Sequence, residues 1–196
     1  LSIKKAKFID EENFMFWTLG HEIILYNTKD NYKTYTKHVE GSAFTDMTLS
    51  FDKQKVLTSS ESGRVTLSEV KTGKVLEIFE SQNVDNIYNI SYENGNLITA
   101  GQDRRVGVYR KNEKPYYIKS EFMVYSVALN TKGSIGVYSS NEKSHLQLFD
   151  VKSGKKGDKL IGHYAAPSKI KFINDKELFS AGYEKNIFYW NLYLKN

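Results

Sequence analysis

The stretch LFSAGYEKNIFYWNL (residues 178–192) is typical of a β-hairpin: an apolar pair, a small polar residue, Ala-Gly, a polar turn, and then aliphatic and aromatic residues. The stretch LITAGQDRRVGVYR (residues 97–110) follows the same order about eighty residues earlier. Two hairpins of the same pattern indicate a structural unit that occurs more than once, so internal repeats are the first feature to establish.

An alignment on the second strand of this hairpin finds five units. The aligned positions are separated by 42, 41, 40 and 41 residues, and they are Ile23, Val65, Val106, Leu146 and Ile187. Three residues further on, four of the five units carry an aromatic side chain; this position holds Tyr26, Ser68, Tyr109, Phe149 and Trp190. The sequence therefore predicts repeats at about 1–42, 43–83, 84–122, 123–163 and 164–196.

Each unit divides into short strands. In the third unit, alternating patterns and turn residues predict strands at NIYNISY, LITAG, VGVYR and PYYIKSE, and no window has a helical period. A period of 40–45 residues with four strands is typical of the blades of a β-propeller, in which each sheet covers the apolar face of the next. The predicted fold is all-β: a propeller with five visible four-stranded blades and first strands along a central channel.

Composition is consistent with this fold class and excludes several kinds of site. The 196 residues are 40% hydrophobic and 26% charged, which fits one globular domain rather than a disordered chain. The absence of Cys excludes disulfides and thiolate metal ligands. The net charge of +5 comes from scattered lysines, and no Arg cluster accompanies them, so we predict solvated loops rather than a nucleic-acid surface.

The last unit resembles the WD-repeat (WD40) family of propellers. It holds Gly162-His163, then Ser180-Ala181-Gly182, and Trp190-Asn191 where the family has Trp-Asp. The resemblance implies a hydrogen-bonded chain that braces a blade, here through His163, Ser180 and Trp190, with Glu184 at the position of the family's turn Asp. In the third unit Thr99 and Asp103 fit the same pattern, whereas Asn83 replaces the His and Tyr109 the Trp. The chain is thus a divergent WD-like sequence.

Two ring sizes satisfy the repeats. Five units could close as a small ring, or they could be the C-terminal part of a seven-bladed ring. The chain starts with Leu and lacks an outer strand for its last unit, and both features favour the second arrangement. In that case we expect a free edge, which a second copy of the chain could cover by self-association.

The sequence predicts no catalytic residue, no cofactor site and no metal site. The four His are not at metal-ligand spacings, the glycines of GQDRRVG lie in a hairpin rather than before a helix, and no nucleophile motif is present. No apolar run is long enough for a transmembrane segment. The alternative to a binding protein is a propeller enzyme (a hydrolase, a lyase or a quinone-type dehydrogenase) with an active site at the channel mouth.

We predict a scaffold that binds a protein partner. In WD-like blades the turns between second and third strands and the starts of first strands share one rim, and exposed Tyr residues there suit protein interfaces. The candidate rim residues are Tyr88, Tyr125, Tyr183, Gln102, Arg104 and Lys4. Packing of Tyr88 and Tyr125 between blades is the alternative.

The general character of the chain is similar to that of bacterial WD-like accessory proteins. Abundant Lys, Asn, Ile and Tyr indicate an AT-rich genome, bacterial or protozoan. Among such proteins, it is similar in general character to accessory proteins of the periplasmic nitrate reductase system, which suggests a role in the assembly or maturation of a larger complex. Both the cytoplasm and the periplasm are compatible with the sequence, and the lack of Cys is compatible with the periplasm.

Overall fold

The computed structural model describes residues 2–38 and 42–193, and all regular structure in these ranges is β-strand. Five antiparallel sheets follow one another along the chain. The first sheet contains β1 (Ile3–Phe8), β2 (Asn13–Thr18), β3 (Glu22–Asn27) and β4 (Tyr32–His38), and the second contains β5 (Phe44–Leu49), β6 (Lys55–Ser60), β7 (Val65–Glu69) and β8 (Val75–Phe79).

The remaining three sheets continue the pattern. The third contains β9 (Ile87–Glu93), β10 (Asn96–Gly101), β11 (Arg105–Tyr109) and β12 (Tyr116–Lys119); the fourth contains β13 (Val127–Leu129), β14 (Ile135–Ser139), β15 (Leu146–Asp150) and β16 (Lys156–Leu160); the fifth contains β17 (Pro167–Phe172), β18 (Glu177–Gly182) and β19 (Ile187–Asn191). The sequence prediction of an all-β chain with repeated sheets is confirmed. The fifth sheet has three described strands rather than four.

Every sheet is an antiparallel meander in which each strand pairs only with its neighbours in sequence. Short polar turns allow this connection, because antiparallel strands can be joined by a few residues whereas parallel strands need a long crossover. In the third sheet, for example, Thr99 lies opposite Ile90 on one side and Gly107 on the other. The first strand of each sheet is therefore at one edge and the last at the opposite edge.

Apolar cores form between successive sheets. Side chains of β2 and β3 pack on β5 and β6, and the same arrangement recurs between sheets two and three, three and four, and four and five. Most of the largest fully buried side chains come from these four layers, among them Trp17, Leu57, Tyr138 and Leu178. Each sheet thus buries a face that it could not bury alone, which explains why the repeats must fold together.

The first strands of successive sheets lie side by side. β5 contacts β9, β9 contacts β13, and β13 contacts β17, while β1 contacts β5. Polar side chains join them: the Asp46 carboxylate accepts hydrogen bonds from Asn89 Nδ2 at 2.7 Å and from the Ile90 backbone N–H at 2.9 Å. The Asn89 side-chain oxygen in turn accepts from the Val127 N–H at 3.0 Å. We call Asp46 and Asn89 the inner-strand link.

None of the described residues forms a helix that could cross a membrane.

Candidate functional site

The fifth sheet contains a buried chain of hydrogen bonds among the residues that the family resemblance singled out. The Trp190 indole N–H donates to Ser180 Oγ at 2.7 Å, and Ser180 Oγ lies 2.6 Å from His163 Nε2. Because an indole N–H can only donate, the Ser180 hydroxyl proton is available to His163 Nε2, and the proton on Nδ1 then faces Glu184. His163 Nδ1 therefore donates to a Glu184 carboxylate oxygen, and both side chains are inaccessible to solvent.

Glu184 also anchors the segment before β17. Its other carboxylate oxygen accepts a hydrogen bond from the Ala165 backbone N–H at 2.7 Å. Burial alone would raise the pKa of Glu184, but the hydrogen bonds from His163 and Ala165 outweigh it, so the pKa lies below its ordinary value. The longer Glu therefore connects to His163 at the position where the family has Asp, a connection that the sequence alone did not establish.

The third sheet holds a related chain with other residue types. Thr99 Oγ1 donates to the Asn83 side-chain oxygen, and Asn83 Nδ2 donates to Asp103 at 3.1 Å. Asp103 accepts a second bond from the Val84 N–H at 2.9 Å. Asn83 thus occupies the place of His. The backbone of Gly107 lies so close to Thr99 that a Cβ at residue 107 would be 2.5 Å from Thr99 Oγ1, so glycine is needed there.

A cluster of aromatic side chains lies where first strands begin. The rings of Tyr88, in β9, and Tyr125, just before β13, are stacked with centroids 5.5 Å apart. The Tyr88 hydroxyl donates to the Gln102 side-chain oxygen at 2.7 Å, so the turn between β10 and β11 holds the stack in place. Burial, followed by the neighbouring Tyr125, raises the pKa of Tyr88. Three candidate rim residues are therefore in direct contact.

The cluster continues towards the fifth sheet. Phe122 lies 6.3 Å from Tyr125 between ring centroids. Beside them is a small cavity of about 180 Å³, which Phe122, Tyr125 and Tyr164 help to line. Tyr164 and Tyr183 are 72% and 82% exposed, and the Tyr183 N–H donates to Ala166 O at 3.3 Å, next to the same cavity. We call Tyr88, Phe122, Tyr125, Tyr164 and Tyr183 the aromatic rim.

The two remaining rim candidates are placed apart from the stack. Arg104 is exposed in the β10–β11 turn with a φ of 62°, and its carbonyl accepts from the Ser120 N–H. Lys4 donates to the Phe44 carbonyl oxygen of the neighbouring sheet at 3.2 Å. The adjacent Arg105 lies over the Tyr117 ring at 4.4 Å and 3.9 Å from Asp103, both in its own sheet.

Phe122 and Tyr164 were not predicted from the sequence. Both lie in connections between the last strand of one sheet and the first strand of the next, a region that an alignment on strands does not cover. An aromatic residue a few positions before the first strand of two consecutive units is the signal that could have identified them.

A larger cleft of about 900 Å³ opens at the opposite end of sheets two and three. Charged groups of both signs line it, including Asp52, Glu77 and Arg110. Ser50 and the Gln54 backbone N–H hydrogen-bond Asp52 and hold its pKa below the ordinary value. The cleft lies between two sheets, at the C-terminal ends of their first strands. The rim residues lie at the opposite, N-terminal ends of first strands.

The outer edge of the fifth sheet is β19. No fourth strand pairs with it among residues 2–38 and 42–193, and Ile187 at its start is 75% exposed. Self-association through this edge stays a prediction.

No family model matches the chain.

Proposed function

We propose that the chain is a WD-like β-propeller scaffold that binds a protein partner through the aromatic rim. The observation that carries the proposal is the Tyr88–Tyr125 stack, held by Gln102 and continued by exposed aromatic side chains around a small cavity. No catalytic role is assigned to any side chain. This role would suit a partner that takes part in the assembly or maturation of a larger complex, such as a periplasmic nitrate reductase.

The arrangement of the first strands supports a propeller. Each first strand lies beside the next, and cores fill the space between successive sheets. The inner-strand link continues this arrangement, since Asp46 of β5 accepts from Asn89 of β9 and Asn89 accepts from the Val127 N–H of β13. Sheets fanned around an axis would place their first strands side by side in this way.

Side chains of the rim suit a protein partner better than a small substrate. Tyr has few rotatable bonds for its area, so an exposed Tyr loses little conformational entropy when it is buried in an interface. The cavity beside Tyr125 is smaller than the clefts of 300–1,000 Å³ that usually hold drug-sized ligands. It can accept one apolar side chain of a partner, which is how interface anchors are often seated.

Replacing Tyr88, Tyr125 and Tyr183 together by alanine is expected to weaken partner binding by more than about tenfold, because truncation of interface anchors costs about 2 kcal/mol or more in favourable cases. The measurement is affinity capture from an extract of the source cells, followed by titration of the captured protein against the purified variant. Circular dichroism would establish that the variant is folded.

The matched control replaces three exposed tyrosines away from the rim, Tyr32, Tyr117 and Tyr193, by alanine. This control should capture the same partner at the affinity of the unmodified chain. Equal capture by the rim variant and the unmodified chain would refute the proposed interface.

A further inference from the structure

Two junctions between neighbouring sheets are closed by a tyrosine of the outer strand. Between sheets one and two, the Tyr35 hydroxyl of β4 donates to the Val70 carbonyl oxygen at 2.8 Å. Between sheets three and four, the Tyr116 hydroxyl of β12 donates to the Val151 carbonyl oxygen at 2.7 Å. In both cases the ring reaches from the fourth strand of one sheet to the turn after the third strand of the next.

A glycine leaves room for each of these rings. A Cβ at Gly73 would lie 2.9 Å from a ring carbon of Tyr35, and a Cβ at Gly154 would lie 3.0 Å from the corresponding ring carbon of Tyr116. The N–H of each glycine donates to the carbonyl four residues before it, at 2.8 Å in both turns. The tyrosine, the buried valine and the glycine therefore recur together at both junctions.

All three residues are replaced at the junction between sheets two and three. Glu77 of β8 has the place of the tyrosine, because it pairs with the same position of its third strand as Tyr35 and Tyr116 do. Exposed Lys111 and Lys114, five and eight residues after the aligned position of β11, replace the valine and the glycine. Within residues 2–38 and 42–193, no side chain donates to the Lys111 carbonyl, as tyrosines do at the other two junctions.

The cleft of about 900 Å³ lies at this junction, and its lining includes Glu77 and Lys111. Leu67, Phe79 and Tyr92 also line it, and they belong to the apolar core between sheets two and three or pack against it. The volume falls in the range of about 300–1,000 Å³ that usually holds a small ligand. The place of the closing ring is therefore open here, against apolar and aromatic side chains.

Charged groups of both signs surround the opening. Arg110 Nη2 lies 3.6 Å from Glu113 Oε2, so these two lining residues pair with each other. Four further charged residues line the cleft and have no oppositely charged group within ion-pair distance in the described part of the chain: Asp52, Lys55, Glu77 and Lys111. Two carboxylates and two ammonium groups are thus available to a ligand that carries both charges.

We propose that this cleft binds a small phenolic zwitterion of the aromatic amino-acid class, with its ring at the place that Tyr35 and Tyr116 occupy in the other junctions. The phenol hydroxyl donates to the Lys111 carbonyl, as the two tyrosine hydroxyls donate to the equivalent carbonyls. The ammonium group pairs with Glu77, and the carboxylate pairs with a lysine at the edge of the cleft. The site is distinct from the aromatic rim and does not depend on its function.

The experiment is a saturation-transfer NMR titration of the full chain with L-tyrosine. Three compounds that each lack one group are compared with it: tyramine lacks the carboxylate, 3-(4-hydroxyphenyl)propionate lacks the ammonium group, and L-phenylalanine lacks the hydroxyl. Each should bind about threefold or more weakly, because each loses one polar contact. N-acetyl-L-tyrosine amide carries neither charge, and its binding as tightly as L-tyrosine would overturn the assignment to a zwitterion in favour of a tyrosine side chain of a protein.

The variant Glu77→Tyr restores the residue that closes the other two junctions. It should bind L-tyrosine at least about tenfold more weakly and unfold at the same or a higher Tm, because its ring fills the cleft. The control Asp30→Tyr makes the same change of charge and a similar change of size in an exposed turn of the first sheet, and it should bind as the unmodified chain does. Circular dichroism would establish that both variants are folded.

The variant Glu77→Gln separates the charge from the ring. It should weaken binding of L-tyrosine by about fivefold and leave binding of 3-(4-hydroxyphenyl)propionate unchanged, since that compound has no ammonium group to lose its partner. Equal binding of L-tyrosine by folded Glu77→Tyr and by the unmodified chain would overturn the proposal. An equal loss of binding in Asp30→Tyr, or no binding by the unmodified chain up to the solubility limit of L-tyrosine, would overturn it as well.

Discussion

Glu184→Ala is expected to lower the free energy of unfolding by about 3 kcal/mol, because it removes a buried carboxylate and leaves the groups that donate to it without an acceptor. His163 would lose its acceptor at Nδ1, and the Ala165 N–H would lose the oxygen that it donates to at 2.7 Å. The loss would also affect the other hydrogen bonds of this network, since His163 orients the Ser180 hydroxyl, whose oxygen accepts from the Trp190 N–H. Urea unfolding followed by tryptophan fluorescence measures the change.

The control is Glu142→Ala, which removes an exposed carboxylate from the corresponding turn of the fourth sheet and should alter the free energy of unfolding by less than about 0.5 kcal/mol. Glu184→Asp keeps the carboxylate and should retain part of the stability. A loss below about 1 kcal/mol for Glu184→Ala would show that the buried chain of hydrogen bonds does not brace the fifth sheet.

The same pair gives a pH dependence with a defined sign. Because the pKa of Glu184 is lowered in the folded chain, its contribution is complete above the unfolded value of about 4.5 and is lost as the pH falls through the folded value. The stability difference between the unmodified chain and Glu184→Ala should therefore shrink in acid below pH 4.5. Between pH 6 and 8 Glu184 stays charged, so its titration should not change the difference.

Asp46→Ala is expected to have a similar effect, again about 3 kcal/mol, because it leaves buried donors without an acceptor. Asn89 Nδ2 and the Ile90 N–H would both lose their bonds, and Lys5 would lose its ion pair. The effect would fall on the junction of three sheets, since Asp46 is in β5, Lys5 in β1 and Asn89 in β9. Chemical denaturation with guanidinium chloride measures it.

Asp46→Asn keeps one carbonyl acceptor and should lose less stability than alanine. Asp30→Ala, which removes an exposed carboxylate, is the control and should be close to neutral. If Asp46→Ala were as stable as the unmodified chain, the inner-strand link would not hold the sheets together.

Much of the secondary structure could be predicted from sequence because each strand is encoded locally. In the third unit the strands predicted at NIYNISY, LITAG and VGVYR correspond to β9, β10 and β11. Alternation and turn residues specify such hairpins without information from the rest of the chain. The family resemblance placed Glu184 at the position of the turn Asp, but whether the longer side chain reaches His163 could be seen only in the structure.

The inner-strand link could not be predicted in this way. Asp46 and Asn89 are 43 residues apart, in different units, and nothing in either local pattern marks them as partners. The Tyr88–Tyr125 stack is intermediate: the repeat places both residues at first-strand starts, but their contact depends on the angle between two sheets.

The distance between the first strands of the first and fifth sheets distinguishes sheets fanned around an axis from sheets stacked in a line. The chain has no Cys, so Ser2→Cys and Ser168→Cys, both at exposed positions near the starts of β1 and β17, can each carry a spin label. Sheets fanned around an axis predict a label separation below about 25 Å by pulsed electron paramagnetic resonance. Five sheets stacked in a line at about 10 Å per layer would give a separation near 40 Å, and that result would contradict the account.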